Sequence, residues 1–427
     1  EILEADVRMF HNVIKLVRDW YFVQASPSDP RAQKLPMPDD LMAELVKFVV
    51  AHEVGHSLGF PHNMKASSSY SIEQLRDPEF TAKMGTAPSI MDYAWFNYVA
   101  QPGDGAALTP AVGVYDLFAA EWGYREFPEG ADENAELEAI VARQKDDPML
   151  LFGSPNPAED PTQQTEDLGA NAVEATRLGL ANLERVAGYL VDATSRPGEN
   201  YDLLENMHGA LLGQWRREMG HVANVVGGVE QINLRYGDAD RRFFPIDAAK
   251  QREAVAFLNE NAFSTPTLFL DPDVLGRLEA SGVAERVLAA QSGVLRALIN
   301  DRRVTRMNEI AATSDDEVYE AADLLADVTA GVWSELDDSP GGKPAIDLYR
   351  RNLQRAHVDV LVRGLDTDRT SSDLPALARG ELAGLAARCA ENGSAAADIA
   401  TSRHLTDVAA RIRLALDKVK VESSAPA

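Results

Sequence analysis

Cysteine is almost absent. Cys389 is the only one in 427 residues, so the chain can close no internal disulfide and assemble no multi-thiolate metal site. Basic residues are scarce as well: 41 Lys and Arg stand against 67 Asp and Glu, for a formal charge of -26. Neutralising a phosphate backbone takes clustered Lys and Arg, so a nucleic-acid partner is not expected, and an acidic surface of this kind mainly serves solubility. No stretch approaches the roughly 20 consecutive apolar residues needed to cross a bilayer, and no basic-then-apolar leader opens the chain. The first residue is Glu1 rather than Met and begins inside a strand-like pattern. That start reads as a piece of a longer precursor, with any export signal lying upstream.

What is present is apolar material for burial. Hydrophobic residues make up 45% of the chain, which at this length suits two or three domains. Leu3, Ala5, Val7 and Met9 alternate with Glu4, Asp6 and Arg8, a period of two that predicts a half-buried strand. Val13, Ile14, Leu16, Val17 and Trp20 recur at helical spacing, and the prolines from Pro27 to Pro38 mark a loop. A second helix follows, capped by Asp39 or Asp40, striped by Leu41, Leu45, Phe48 and Val49, and stopped by Gly59 and Pro61. Short helices from Ser71 to Met84, a loop-rich stretch from Thr86 to Asp104 and a helix from about Pro110 to Trp122 complete a first region, residues 1–125. In residues 126–427, proline-punctuated loops give way to amphipathic segments rich in Ala, Leu, Glu and Arg. These predict helices over about 170–192, 201–225, 247–261, 282–312, 316–336, 344–364, 374–391 and 396–419. No repeat period emerges, and Ser423 to Ala427 reads as a disordered tail. The predicted class is α+β, predominantly α-helical.

One run of residues carries chemistry: His52-Glu53-Val54-Gly55-His56-Ser57-Leu58-Gly59-Phe60-Pro61-His62. His52 and His56 are four residues apart and share one helix face, so both imidazoles can bind a single ion. On a straight helix His62 would lie about 15 Å further along the axis, far beyond a bond of about 2 Å to the same zinc. The chain must therefore turn back, and Gly59 stands where a left-handed stop costs little. Three neutral histidines leave a fourth zinc position for water, whose pKa the metal lowers toward about 7. Glu53 can take that water's proton as a peptide carbonyl is attacked and pass it to the leaving amine. A bare HExxH arises by composition in roughly one chain of this size per hundred. Gly and His at two further fixed offsets lower that chance by about another thousandfold.

Downstream stands Ser89-Ile90-Met91-Asp92-Tyr93. With the histidine run, it resembles the metzincin clan, whose methionine turn places a Met beneath the three-histidine zinc site; the resemblance implies that role for Met91. Tyr93 matches the tyrosine that astacin-like and serralysin-like members use as an extra metal ligand or as a transition-state donor; its other reading is a wall of the substrate pocket. Asn63 departs from the residue typical of those two families. The nearer resemblance is to the large bacterial zinc-dependent metalloproteases of the Met-zincin group. It spans His52 to Asn63, Pro88 to Ala94, Phe96 to Pro102, and Tyr115-Asp116 to Trp122-Gly123-Tyr124. It implies one catalytic zinc, a polypeptide substrate, and the C-terminal part of a metzincin-like catalytic domain followed by a helical domain. It also implies an exported bacterial protein, periplasmic or extracellular, longer than this chain. In metzincins several strands precede the active-site helix, including the edge strand along which substrate pairs. Only Leu3 to Met9 is a candidate strand here, so the expected partners include the chain's own amino-terminal region.

The leading expectation is thus a zinc endopeptidase with His52, His56 and His62 as ligands, Glu53 as base and Tyr93 as helper. The alternatives are a scaffold that binds zinc without efficient catalysis, its helical region serving as a partner-binding module, and a peptidase with a glutamate third ligand. Glu53 disfavours the first, since a structural site has no use for a carboxylate beside an open position; His62 and Met91 disfavour the second. His11, His208, His221, His357 and His404 lack ligand spacing and read as surface or core histidines. Asp92 could reach a metal-bound histidine from behind, but loop aspartates usually cap local turns and it reads as such a cap; Asp116 and Trp122 read as packing of the closing helix. Glu159-Asp160, Glu166-Asp167 and the run from Ser314 to Glu320 read as solvated loops or helix caps.

Overall fold

The computed structural model describes residues 4–156, 158–233, 235–238, 241–337, 339–366 and 371–423. The architecture is α-rich α+β, and the chain divides into two compact units. The first runs to Val222 and takes in Gly228–Phe244 and Pro272–Leu278; the second comprises Ala223–Gly227, Pro245–Asp271 and the chain from Glu279 onward.

In the first unit, α1 (His11–Ala25) buries Val17, Tyr21, Phe22 and Val23. It packs against α2 (Asp39–Ser57) and α7 (Ala172–Thr194). Between them come α3 (Ile72–Arg76), α4 (Pro78–Met84), α5 (Val114–Tyr124) and α6 (Glu133–Val141), and α8 (Asp202–Val225) follows. The buried positions of α2 are Leu41, Leu45, Phe48, His52 and Gly55. Their spacing of four, three, four and three makes one stripe, so the apolar face that docks the helix also carries His52 inward. The residue preceding α2 is Pro38, which offers no side-chain cap; Asp39 and Asp40 lie inside the first turn, where their charge favours the helix dipole instead. Tyr70, Ile72, Leu75, Tyr98, Val99 and Leu168 form a core around α3 and the loop after it, each large apolar side chain contributing about 1.5–3 kcal/mol by burial. A smaller cluster joins Phe118 of α5 to Ile140 of α6 and to Leu150.

Several sequence expectations need correcting. Leu3 lies outside the described residues, and Glu4 to Phe10 form no strand: all but Met9 are exposed, and no neighbouring strand pairs with them. The alternation had no sheet to sit on. The sheet among the described residues is instead β1 (Val229–Gln231) with β2 (Phe243–Pro245), too short to show a period. Helix α6 occupies a stretch expected to be loop, started by Asp132, whose side chain accepts from the Ala135 N–H at 3.2 Å. Asp160 and Asp167 are buried, not solvated. Asp160 accepts from the Thr162 and Gln231 N–H groups at 2.8 and 2.7 Å, joining that loop to β1.

The second unit contains α9 (Ala248–Asn261), α10 (Val283–Leu298), α11 (Asp301–Thr313), α12 (Ala321–Val332), α13 (Leu348–Gly364), α14 (Leu374–Gly393) and α15 (Ile399–Ser423). The single helix expected over 282–312 is broken at Ile299-Asn300: Asn300 is extended, and its side chain caps α11 at the Arg303 N–H. The helix expected over 316–336 is shorter, α12. Buried Arg350 organises this unit, donating to the Gly331 and Val332 carbonyls at 3.0 and 2.9 Å and to the Phe263 carbonyl, and pairing with Glu335. Of the expected tail, Ser423 ends α15 and residues 424–427 lie outside the described residues. No helix among the described residues is long and apolar enough to cross a membrane.

Candidate metal centre

Helix α2 ends in a tight reversal. Gly59 adopts φ +89°, its N–H donates to the His56 carbonyl at 2.9 Å, and the Phe60 N–H reaches back to the Gly55 carbonyl at 3.1 Å. This pair of bonds is the Schellman pattern, and the positive φ at its turning point is the conformation glycine adopts without penalty. The reversal returns His62 to the helix. Its Nε2 lies 3.3 Å from Nε2 of His52 and 3.0 Å from Nε2 of His56, and the three form a group able to hold a metal ion.

The other ring nitrogens of His52 and His56 explain why these two present Nε2 to His62. His52 Nδ1 meets the Ile90 carbonyl at 2.7 Å, and His56 Nδ1 meets the Phe60 carbonyl at 2.8 Å. A carbonyl can only accept, so both Nδ1 atoms carry the proton and both Nε2 atoms present lone pairs to the centre. Burial, and the nearby His56, hold His52 below its usual pKa; His62 is pushed down to about 4, by burial first and then by His56 and His52. Neutral imidazoles with converging lone pairs repel one another unless a cation lies between them. Tetrahedral zinc with bonds of about 2.0–2.1 Å sets its ligand atoms about 3.3 Å apart, the spacing seen here to within a few tenths of an ångström. The donor set therefore fits the metal.

Beneath the triad lies Met91, 1% exposed. A Cβ added at Gly55 would overlap its sulfur, so helix and turn are in direct contact at that glycine. The Tyr93 ring sits 4.4 Å from the His62 ring and 5.3 Å from that of His52; burial and the charge of Glu53 raise its phenol pKa. Glu53 and His56 border a cleft of about 470 Å³ that the stretch from Glu4 to Met9 also lines.

Residues 34–340 match the family model described as Met-zincin. The chain belongs to the Met-zincin family. No curated protein and no solved structure matches it. The Met-zincin family is a metzincin-type zinc metallopeptidase family. The matched region of this Met-zincin crosses residue 125, and the first compact unit likewise continues past that position.

Sequence reasoning gave Asn63 no role in the Met-zincin site and read Asp116 only as packing of the closing helix. Asn63 is fully buried. Its N–H donates to the Met91 carbonyl at 3.2 Å, while its side chain bonds the Leu151 carbonyl and the Gly153 N–H at 2.9 and 3.0 Å. It thus ties the third histidine's loop to the methionine turn on one side and to residues 151–153 on the other. Asp116, at the third position of α5, accepts from the Gly113 and Ile90 N–H groups, each at 2.8 Å, and from the Ser89 hydroxyl at 2.6 Å. Burial raises its pKa, and these three donors oppose the rise. Gly113 has no room for a Cβ against the Pro88 carbonyl, which accepts from the Tyr115 N–H at 2.9 Å, so the start of α5 is seated directly on the turn. Capping residues flanking α5 were a signal that could have found Asp116; nothing in the sequence marks Asn63. Asp92 reaches away from the histidines to the Ser67 N–H at 2.6 Å. His208, His221, His357 and His404 are buried, outside the metal-binding group.

Proposed function

We propose that this Met-zincin is a zinc-dependent endopeptidase that hydrolyses peptide bonds in extended polypeptides, with His52, His56 and His62 as the metal ligands. The observation that carries the reading is that His62 Nε2 approaches the Nε2 atoms of His52 and His56 to 3.3 and 3.0 Å, beside a cleft that Glu53 borders. Zinc bound there would polarise a water and lower its pKa toward about 7. Glu53, one residue along α2 from His52, accepts the proton at its carboxylate and returns it to the leaving amine. The Tyr93 phenol, kept protonated by burial and by the Glu53 charge, donates to the developing oxyanion. The cleft admits an extended chain between α2 and the stretch from Glu4 to Met9. Export to a bacterial periplasm or to the exterior belongs to the same proposal and rests on the resemblance to exported Met-zincins.

The test is Glu53→Gln. Cleavage of a peptide library, read by mass spectrometry, should fall to background while bound zinc stays at about one per chain, as three-histidine ligation implies. A chelator should abolish cleavage by the unmodified protein. Equal turnover in Glu53→Gln would overturn the assignment.

A further inference from the structure

The hydrogen bonds behind His52 form an unbroken line. Its Nδ1–H donates to the Ile90 carbonyl at 2.7 Å. The N–H of that same peptide unit belongs to Met91 and donates to Ser89 Oγ at 3.0 Å. The Ser89 hydroxyl in turn donates to Asp116 at 2.6 Å. Every proton in the line points the same way, from imidazole to peptide to hydroxyl to carboxylate, and every member is buried. Aligned bonds of this kind polarise one another, and a carboxylate behind a ligating histidine raises the basicity of the nitrogen facing the metal. Asp116 accepts three donors on its two oxygens, an arrangement that suits the ionised form.

We infer that Ser89 and Asp116 are positioning residues that act on His52 through the Ile90-Met91 peptide, fixing its Nδ1–H tautomer and strengthening its Nε2 as a zinc donor. His56 has no such line behind it. Its Nδ1 bonds the Phe60 carbonyl, in the reversal after α2, and the nitrogen of that peptide unit is that of Pro61, which has no N–H to carry a line further. The two histidines at the start of the motif are therefore inequivalent: His52 is backed by a charge and His56 by a neutral backbone. This inference rests on the reading that the triad holds zinc.

The experiment uses the full chain and Ser89→Ala, which breaks the line at its hydroxyl but leaves Asp116 bonded to the Ile90 and Gly113 N–H groups. Zinc affinity is measured by competition with a chromophoric chelator, and the ring nitrogens are observed by ¹⁵N NMR. Ser89→Ala should weaken zinc binding about 10- to 100-fold and shift the His52 Nδ1 resonance while leaving that of His56 in place. Ser89→Thr, which keeps the hydroxyl, should restore both. A general loosening of the fold would move both histidines together and overturn the inference. So would unchanged affinity in a folded Ser89→Ala variant. Zinc-free wild-type protein provides a check that needs no variant: His52 should hold its proton on Nδ1, and an Nε2–H tautomer would refute the inference. Failure of wild-type protein to bind zinc with His52, His56 and His62 would instead refute the endopeptidase reading, a separate outcome.

Discussion

Gly55→Ala sets two known effects against each other inside the metal-binding motif. Replacing a helix-interior glycine by alanine ordinarily stabilises by about 1 kcal/mol, and Gly55 lies within α2 at an ordinary helical φ. Against that gain, the new Cβ would overlap the Met91 sulfur and come within 3.2 Å of its terminal methyl. Met91 is 1% exposed, and its backbone is held at both ends, its N–H to Ser89 Oγ at 3.0 Å and its carbonyl to the Asn63 N–H at 3.2 Å. The buried Met91 side chain must therefore shift. Overpacking of this kind costs about 1–3 kcal/mol, so the net change should be a loss of about 1 kcal/mol, with weaker zinc binding because Ile90 and Met91 also hold His52. The decisive measurement is a double-mutant cycle with Met91→Ala in urea denaturation. Met91→Ala alone should cost about 2–5 kcal/mol through the cavity it leaves. The new methyl partly refills that cavity, so the pair should be more stable than the sum of the singles by about 0.5–3 kcal/mol. A Gly55→Ala variant stabilised by its full helix propensity, with no coupling to Met91→Ala, would refute the packing argument.

Other perturbations follow from single features. Gly59→Ala places a Cβ in open space at φ +89°, so its cost is backbone strain alone, about 1–2 kcal/mol; thermal denaturation should show that loss, and zinc titration a weaker site as His62 slackens. Glu218 is fully buried, with one oxygen bonded to Gln214 and the other unpartnered; burial pushes its pKa up to about 8 from 4.5. The native state therefore keeps a proton that the unfolded chain has released, and stability falls as pH rises between about 4.5 and 8. Glu218→Gln should remove that slope, up to about 1.4 kcal/mol per pH unit, and a wild-type minus variant difference flat over this window would contradict the placement of Glu218. In the second unit, Arg350→Met removes a donor from each of the Gly331 and Val332 carbonyls and leaves Gln354 to donate to the Val332 carbonyl at 3.1 Å and to Glu335 at 3.0 Å. Losing one partner of a buried ion pair should cost about 3–5 kcal/mol in urea denaturation, and a loss under 1 kcal/mol would show the network to be dispensable.

The helical class was legible because long amphipathic stretches carry their own period. Segments such as Ala172–Thr194 and Leu374–Gly393 lie within a few residues of their expected bounds. Failures fall where the deciding contact is distant or the element short. Leu3 to Met9 alternates like a strand, but a strand exists only if another pairs with it. Three-residue strands at Val229–Gln231 and Phe243–Pro245 are too brief for alternation to register, and continuous helical composition over 282–312 concealed a break that one asparagine cap creates. Asp160 and Asp167 looked solvated because acidic loop residues usually are; here nearby N–H groups and the Ser67 hydroxyl take them inside.

The candidate site divides along the same physical line. A histidine that binds metal must be a histidine, and its spacing follows from helix geometry, so residue type and offset together announce His52, His56 and His62. The parts that hold them in place work through the backbone instead. Ile90 and Phe60 orient two imidazoles with carbonyl oxygens that any residue would supply, so neither side chain advertises the function. Gly55 and Gly113 matter for the Cβ they lack against Met91 and against the Pro88 carbonyl, and one glycine in a sequence looks like another. Asn63, Ser89 and Asp116 do act through their side chains, but mainly on main-chain N–H and C=O groups close in space, some of them distant in sequence. A motif can therefore name the ligands of such a centre while leaving its rigidity unstated, and that rigidity is where substitutions outside the motif should alter zinc binding.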